Sequence, residues 1–191
     1  MNAEGDPLEL TRAILDSGVR IIQYRAKSGI VPAQAETLRE LTRTRGALFL
    51  INDDWRAVER FDADGVHLGP DDNGFDALVQ IRHALGGRIV GVSCGTPDEA
   101  RAARAADYIG AGSVFATTSK SDAGDPIGLD GLREIAAATS LPVAAIGGIT
   151  AENLRDVRAT GVAMAAMISA FSTAPDPRAA AAHLVSTWNA A

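Results

Sequence analysis

A chain of 191 residues, 47% hydrophobic and 22% charged, has the balance of one globular domain spanning residues 1–191, since domains commonly run to about 100–200 residues; disorder, collagen-like repeats and a disulfide scaffold are excluded. Its formal charge of −6 argues against a nucleic-acid surface, whose affinity rests on clustered cations, but leaves room for small phosphorylated ligands. With no run near the roughly 18 apolar residues of a membrane span, no signal-peptide pattern in MNAEGDPLEL and a lone Cys94 without a disulfide partner, the expectation is a cytoplasmic protein with no membrane partner.

Apolar runs of strand length alternate with longer stretches of helical period to the C-terminus, the pattern of βα units and a parallel sheet. A helix is expected after Asp6-Pro7-Leu8-Glu9 and another after Thr96-Pro97-Asp98-Glu99. Each places a capping residue, a proline at the first helical position and a glutamate suited to a capping box. The expected strands are Val19–Tyr24, Leu48–Ile51, Gly65–Leu68, Ile89–Ser93, Tyr108–Ala111, Val143–Ile146 and Val162–Ile168. Gly18, Gly46 and Gly161 fall where helix ends need a left-handed residue. An internal similarity links Ala63-Asp64-Gly65-Val66-His67-Leu68-Gly69 with Ala106-Asp107-Tyr108-Ile109-Gly110-Ala111-Gly112, each with a polar entry, an apolar strand and a glycine exit. Strands apolar along their length are covered on both faces or line a barrel. No GxGxxG follows the first strand, which favours an α/β TIM (β/α)8 barrel over a doubly wound sheet and places the active site at the C-terminal strand ends.

Those ends carry the candidate chemistry. In Gln23-Tyr24-Arg25-Ala26-Lys27, alternation sends Gln23, Arg25 and Lys27 to one side. An amide, an arginine fork and a lysine point charge suit a di- or polyphosphate, though a solvated strand end reads the same way. Ile51-Asn52-Asp53-Asp54 and His67-Leu68-Gly69-Pro70-Asp71-Asp72 end neighbouring strands, where two carboxylates can share Mg²⁺ with substrate phosphates. Helix-entry aspartates would account for Asp54 and Asp71 equally well. His67 reads as a residue that packs or hydrogen-bonds inside the barrel. Ser93, in Gly91-Val92-Ser93-Cys94, and the Thr117-Thr118-Ser119-Lys120 loop offer hydroxyls and a cation for phosphate oxygens or a leaving group, or form a plain polar loop. Gly147-Gly148 before Thr150, and Ile168-Ser169 after the last strand, lie where barrels place a phosphate against backbone amides. A glycine turn before a Thr150-capped helix is the alternative there.

In this order, Gln23-x-Arg25-x-Lys27, Ile51-Asn52-Asp53, Gly65-Val66-His67-Leu68-Gly69-x-x-Asp72, Gly91-Val92-Ser93, Thr117-x-Ser119-Lys120, Ala145-Ile146-Gly147-Gly148-Ile149 and Ile168-Ser169 resemble the thiamine-phosphate synthase family. The resemblance runs from roughly Leu8 to Ser169. It implies transfer of 4-amino-5-hydroxymethyl-2-methylpyrimidine from its diphosphate to 4-methyl-5-(2-phosphoethyl)thiazole, giving thiamine phosphate and pyrophosphate. By the same resemblance Gln23, Arg25, Lys27 and Asn52 bind the pyrimidine diphosphate, and Asp53 and Asp72 hold Mg²⁺. Ser93 and Lys120 stabilise departing pyrophosphate, while Thr117, Ser119, Gly148, Ile168 and Ser169 seat the thiazole phosphate.

Three positions depart from the family pattern. Pro70 replaces a glutamine, Ser119 a threonine, and Gly95 a histidine on which the related thiazole tautomerase relies. The family's opening strand is expected before the first helix, where only Met1–Gly5 stands. The expectation is therefore a barrel lacking its first strand, open between Val19–Tyr24 and the last strand. Such edges call for cover by a partner, which a homo-oligomer would supply, by a rearranged N-terminus, or by nothing. A tautomerase and a non-catalytic phosphate-binding barrel are the alternatives to the synthase.

Overall fold

Where each helix stops and each strand starts depends on which backbone groups are already hydrogen-bonded. The computed structural model describes residues 6–26, 28–69, 74–117 and 124–190. Helix α1 (Pro7–Asp16) begins on Asp6, whose carboxylate accepts the Leu8 N–H at 2.9 Å. Glu9 does not close the expected capping box; it pairs with Arg12 at 2.6 Å. At the other end the Val19 N–H donates to the Ile14 carbonyl, so Val19 belongs to the helix exit and β1 (Ile21–Tyr24) starts two residues later than the apolar run suggests. Gly18 turns the chain there at φ +104, a conformation that costs a glycine little.

Helix α2 (Pro32–Thr44) buries Ala35, Leu38 and Thr42, one face at helical spacing, and leads to β2 (Leu48–Asn52). The one-turn α3 (Ala57–Arg60) precedes β3 (Gly65–Leu68), and α4 (Gly74–Leu85) precedes β4 (Ile89–Cys94). Helix α5 (Pro97–Ala102) does carry the full capping box, with the Glu99 N–H on Thr96 Oγ1 and the Thr96 N–H on Glu99, both at 3.2 Å. Then come β5 (Tyr108–Ala111), α6 (Gly128–Ala137), β6 (Val143–Ile146), α7 (Leu154–Arg158) and β7 (Met164–Ala166). The last strand is shorter than Val162–Ile168. The Ile168 carbonyl accepts the Phe171 and Ser172 N–H groups and so opens α8 (Ser169–Ser172), which α9 (Pro177–Ala190) follows.

The seven strands are all parallel and lie in the order β1-β2-β3-β4-β5-β6-β7. A doubly wound sheet reverses its strand order at a switch point; this one winds in a single direction, as a barrel does. Among the described residues β1 and β7 are its two edges, the opening expected of a barrel short of one strand. On the helical side, α1 packs against both α2 and α9. Asp16 bridges Arg45 and Arg178, each at 2.7 Å, and Ser17 Oγ donates to the Arg178 carbonyl at 3.0 Å.

Outward-facing strand residues such as Phe49, Ile51, Val66, Val90 and Ile109 bury against Leu38, Leu78, Leu132 and Leu154 from the helices. Each large side chain removed from water contributes about 1.5–3 kcal/mol, so this layer outweighs helix caps worth about 1 kcal/mol each. The opposite face forms a second layer. There the register aligns Asn52, His67, Gly91 and Tyr108 in one row and Ser93 and Gly110 in the next.

The internal similarity marks a repeated joint at the N-terminal end of the sheet. The Asp64 N–H donates to the Phe49 carbonyl, while its carboxylate accepts the Phe49 N–H at 2.7 Å and Arg39 Nη1 at 2.9 Å. Asp107 does the same with Val90 (2.8 Å to the N–H) and with Arg82. Removing an acceptor from a shielded N–H costs about 1–3 kcal/mol. Asp64 is 23% exposed and Asp107 47%, so Asp64→Ala is expected to lower unfolding free energy by about 2 kcal/mol and Asp107→Ala by about 1 kcal/mol. Chemical denaturation of the two variants checks the order.

Candidate active site

At the C-terminal ends of the strands the early and late halves of the sheet present different chemistry. Gln23, Arg25 and Asn52 are half-buried on β1, just beyond it and at the end of β2. Among the described residues none of the three uses its side-chain donors on a protein partner. The register sets Gln23 beside Leu50 and Asn52 beside His67, which keeps them on the inner face. Lys27 lies outside the described residues.

Asp53 follows Asn52 with φ +66, a left-handed backbone that an aspartate tolerates better than most residues. Its N–H donates to the His67 carbonyl at 2.8 Å, tying the end of β2 to β3. Asp54 supports the entry to α3, accepting the Ala57 N–H at 3.3 Å, in keeping with a helix-entry role. Asp72, like Pro70 and Asp71, lies outside the described residues. Among the described residues no group of three His, Cys, Asp or Glu side chains could hold a metal ion.

Between these halves sits a hydrogen-bonded chain of side chains. His67 Nδ1 lies 2.8 Å from Tyr108 Oη and His67 Nε2 3.0 Å from Ser93 Oγ, so His67 does hydrogen-bond within the barrel. Two glycines make the room. A Cβ on Gly91 would stand 2.1 Å from the Tyr108 ring, and one on Gly110 would stand 2.9 Å from His67 Cε1. Burial holds the Tyr108 hydroxyl above its ordinary pKa, so it stays protonated. Cys94, next to Ser93 but buried, has its thiol pushed up to about 12 by burial and by the charge of Glu99.

In the late half, the exit of β5 lies directly on the turn after β6. Val114 N–H donates to the Ile146 carbonyl at 2.9 Å and Phe115 N–H to the Gly147 carbonyl at 3.1 Å. Gly148 has φ +63, and a Cβ there would meet the Ala116 carbonyl at 2.6 Å, so only glycine fits. Asn153 braces this turn: its Oδ1 accepts the Thr150 N–H at 2.9 Å and its Nδ2 donates to the Gly148 carbonyl at 3.0 Å. Thr150 therefore does not cap a helix; α7 starts at Leu154, and the Asn153 side chain is turned back to the glycine loop. Thr117 is half-buried beside this turn, while Ser119 and Lys120 lie outside the described residues. Ile168 is half-buried and Ser169 exposed at the junction of β7 and α8.

Tyr108 and Asn153 are site residues that none of the sequence motifs singles out. Alternation of bulky and small residues in Tyr108-x-Gly110-x-Gly112 was the available signal for the first. An asparagine three residues after a glycine-turn threonine was the signal for the second.

A one-directional parallel sheet with its uncommitted polar groups at the carboxyl ends of the strands defines a (β/α)-barrel-type protein. Residues 1–171 match the family model described as thiamine monophosphate synthase. The chain is 46% identical to a thiamine-phosphate synthase of Moorella thermoacetica, covering 93% of this chain and 86% of that protein. It is 45% identical to a thiamine-phosphate synthase of Archaeoglobus fulgidus, covering 93% and 84%. Among solved structures, a thiamine phosphate pyrophosphorylase from Pyrococcus furiosus superposes with a TM-score of 0.89 at 38% identity, over 98% of this chain and 91% of that one. A 3-hexulose-6-phosphate synthase from Salmonella typhimurium, at 18% identity and a TM-score of 0.75 over 96% of this chain and 92% of that one, shares the fold. The chain belongs to the thiamine monophosphate synthase family.

Two outcomes test the packing of the site. Gly91→Ala drives a methyl group into the Tyr108 ring and is expected to cost about 1–3 kcal/mol of stability, read by thermal unfolding. Cys94 is expected to resist a thiol reagent in the native protein and to react fully in denaturant, which a colorimetric thiol assay measures.

Proposed function

We infer that this chain is a thiamine-phosphate synthase, joining 4-amino-5-hydroxymethyl-2-methylpyrimidine diphosphate to 4-methyl-5-(2-phosphoethyl)thiazole. The bond from the pyrimidine methylene carbon to the diphosphate oxygen breaks, and pyrophosphate leaves with the electron pair. The thiazole ring nitrogen then forms the new bond to that carbon. The pyrimidinylmethyl cation between the two steps is stabilised by the ring's own amino group. The protein's work is to neutralise charge on the leaving group and to hold the two rings in line. No strong nucleophile is needed for this, and the buried, protonated thiol of Cys94 is unsuited to be one.

The observation that carries this reading, beside family membership, is the set of half-buried donors on Gln23, Arg25 and Asn52 without protein partners among the described residues. Polar side chains held at a rim in this state are suited to an anionic ligand. Gln23, Arg25, Lys27 and Asn52 take the pyrimidine diphosphate, and Ser93 and Lys120 meet the departing pyrophosphate. Thr117, Ser119, Gly148, Ile168 and Ser169 seat the thiazole phosphate, with Asn153 holding the Gly148 turn open.

Asp53 and Asp72 would hold Mg²⁺. Hard carboxylate oxygens fit that ion, which commonly takes one or two of them together with substrate phosphates, and Asp53 stands at the rim beside Asn52. The ion, when bound, supplies positive charge to the diphosphate. A cytoplasmic location accompanies the reading, and among the described residues no helix is long and apolar enough to cross a membrane.

Incubation with both substrates and Mg²⁺ is expected to release pyrophosphate and form thiamine phosphate; phosphate-ligand binding without release would overturn the reading. Lys27→Ala and Asp53→Asn are each expected to lower kcat/KM by about 10²–10³-fold, the usual cost of losing one charge-stabilising group. Asparagine is chosen at position 53 because it also accepts a left-handed backbone. Melting temperatures are expected to move little, and a chelator to abolish turnover until Mg²⁺ is restored.

A further inference from the structure

The chain Tyr108–His67–Ser93 can carry its hydrogens in two orders when the imidazole is neutral. In one, the Tyr108 hydroxyl donates to His67 Nδ1, the imidazole proton sits on Nε2 and donates to Ser93 Oγ, and the Ser93 proton is left to point into the site. In the other, His67 Nδ1–H donates to Tyr108 Oη, and Ser93 donates back to Nε2. The distances of 2.8 Å and 3.0 Å serve either order.

The surroundings separate them. Tyr108 Oη has no other hydrogen-bond partner among the described residues. Its ring is enclosed above Gly91, where a Cβ would lie 2.5 Å from Oη. In the second order the phenol proton has no protein acceptor among the described residues, which leaves a half-buried polar hydrogen without a partner in the sheet. In the first order every proton of the chain is placed except that of Ser93, which faces the open rim. The first order also suits an anion, because a serine that has accepted from an imidazole N–H presents its hydrogen outward. One that has donated to the imidazole presents only lone pairs, which repel phosphate oxygens.

We propose that Tyr108 is a positioning residue for Ser93, acting through His67: by donating to Nδ1 it selects the Nε2–H tautomer and so turns the Ser93 hydroxyl into a donor aimed at the departing pyrophosphate. The proposal rests on the synthase reading for the identity of that anion. The proton order itself does not. Gly91 and Gly110 belong to the same device, since each leaves the space that one of the two rings occupies.

Nitrogen-15 NMR of the imidazole groups tests the proton order directly, with His67 assigned among the three histidines by the signal lost in His67→Gln. The wild-type spectrum is expected to show the Nε2–H tautomer, and Tyr108→Phe, which removes the hydroxyl and keeps the ring, is expected to shift it toward Nδ1–H. A wild-type Nδ1–H tautomer, or a tautomer unchanged in Tyr108→Phe, would overturn the proposal without any assay of turnover. In steady-state kinetics Tyr108→Phe is expected to lower kcat about ten-fold, less than the ~10²–10³-fold loss from deleting a transition-state donor outright, with both KM values within about two-fold. In a Ser93→Ala background the same change is expected to add nothing. Multiplying effects of the two variants would show that Tyr108 acts elsewhere and sink the proposal. Unchanged turnover in Ser93→Ala alone would instead remove Ser93 from leaving-group stabilisation, while the tautomer still decides the proton order.

Discussion

The space inside a small parallel barrel is the constraint on which the site depends. Side chains from every strand compete for that space, and here two aromatic rings enter it only because glycines stand where their neighbours' side chains would be. Gly91 admits Tyr108, and Gly110 admits His67. The rings then meet by a hydrogen bond, and the second ring reaches Ser93 on the adjacent strand. Polar groups so enclosed stabilise the fold only when satisfied, so the interior packing and the polarity of the rim are parts of one arrangement.

Around this centre the two ends of the sheet do different work. At the N-terminal end Asp64 and Asp107 lock neighbouring strands by pairing backbone and side chain with one residue of the strand before, and an arginine on the helical layer completes each joint. At the C-terminal end donors on the early strands stay uncommitted, while the late strands offer glycine turns drawn together by main-chain bonds from Val114 and Phe115. Stability is concentrated at one end and binding capacity at the other, the division expected of barrel enzymes.

Strand number and fold type were legible in the residues because apolar runs bounded by glycine and caps are local signals. Gly65–Leu68, Tyr108–Ala111 and Val143–Ile146 have the bounds the residues suggested. The misplacements at Val19 and Ile168 have one cause: a main-chain group was already engaged by a neighbouring helix, a fact that hydrophobicity does not encode. Glu9 had an equally suitable partner in Arg12, so a capping-box pattern did not yield a capping box. Of the site, alternation placed Gln23 and Arg25 on one side of a strand end, and the ends of apolar runs placed Asn52 and Ser93. Tyr108 could not be joined to Ser93, because they meet only through His67 across three strands. Asn153 stands next to α7 in sequence, and only its side-chain bonds to Thr150 and Gly148 assign it to the glycine loop.

The seam between β1 and β7 has a geometric consequence for these two halves. The early-strand donors and the late-strand glycine turns flank the seam, yet among the described residues no backbone ladder crosses it. Within the sheet their separation is set the long way round, through the six successive strand pairings that join β1 to β7. Each pairing contributes its own small tolerance in twist and spacing, and the tolerances accumulate at the gap. The helices α1 and α9, which pack against each other on the helical side, add a link outside the sheet, a gauge block that bears on the final distance between its first and last strands.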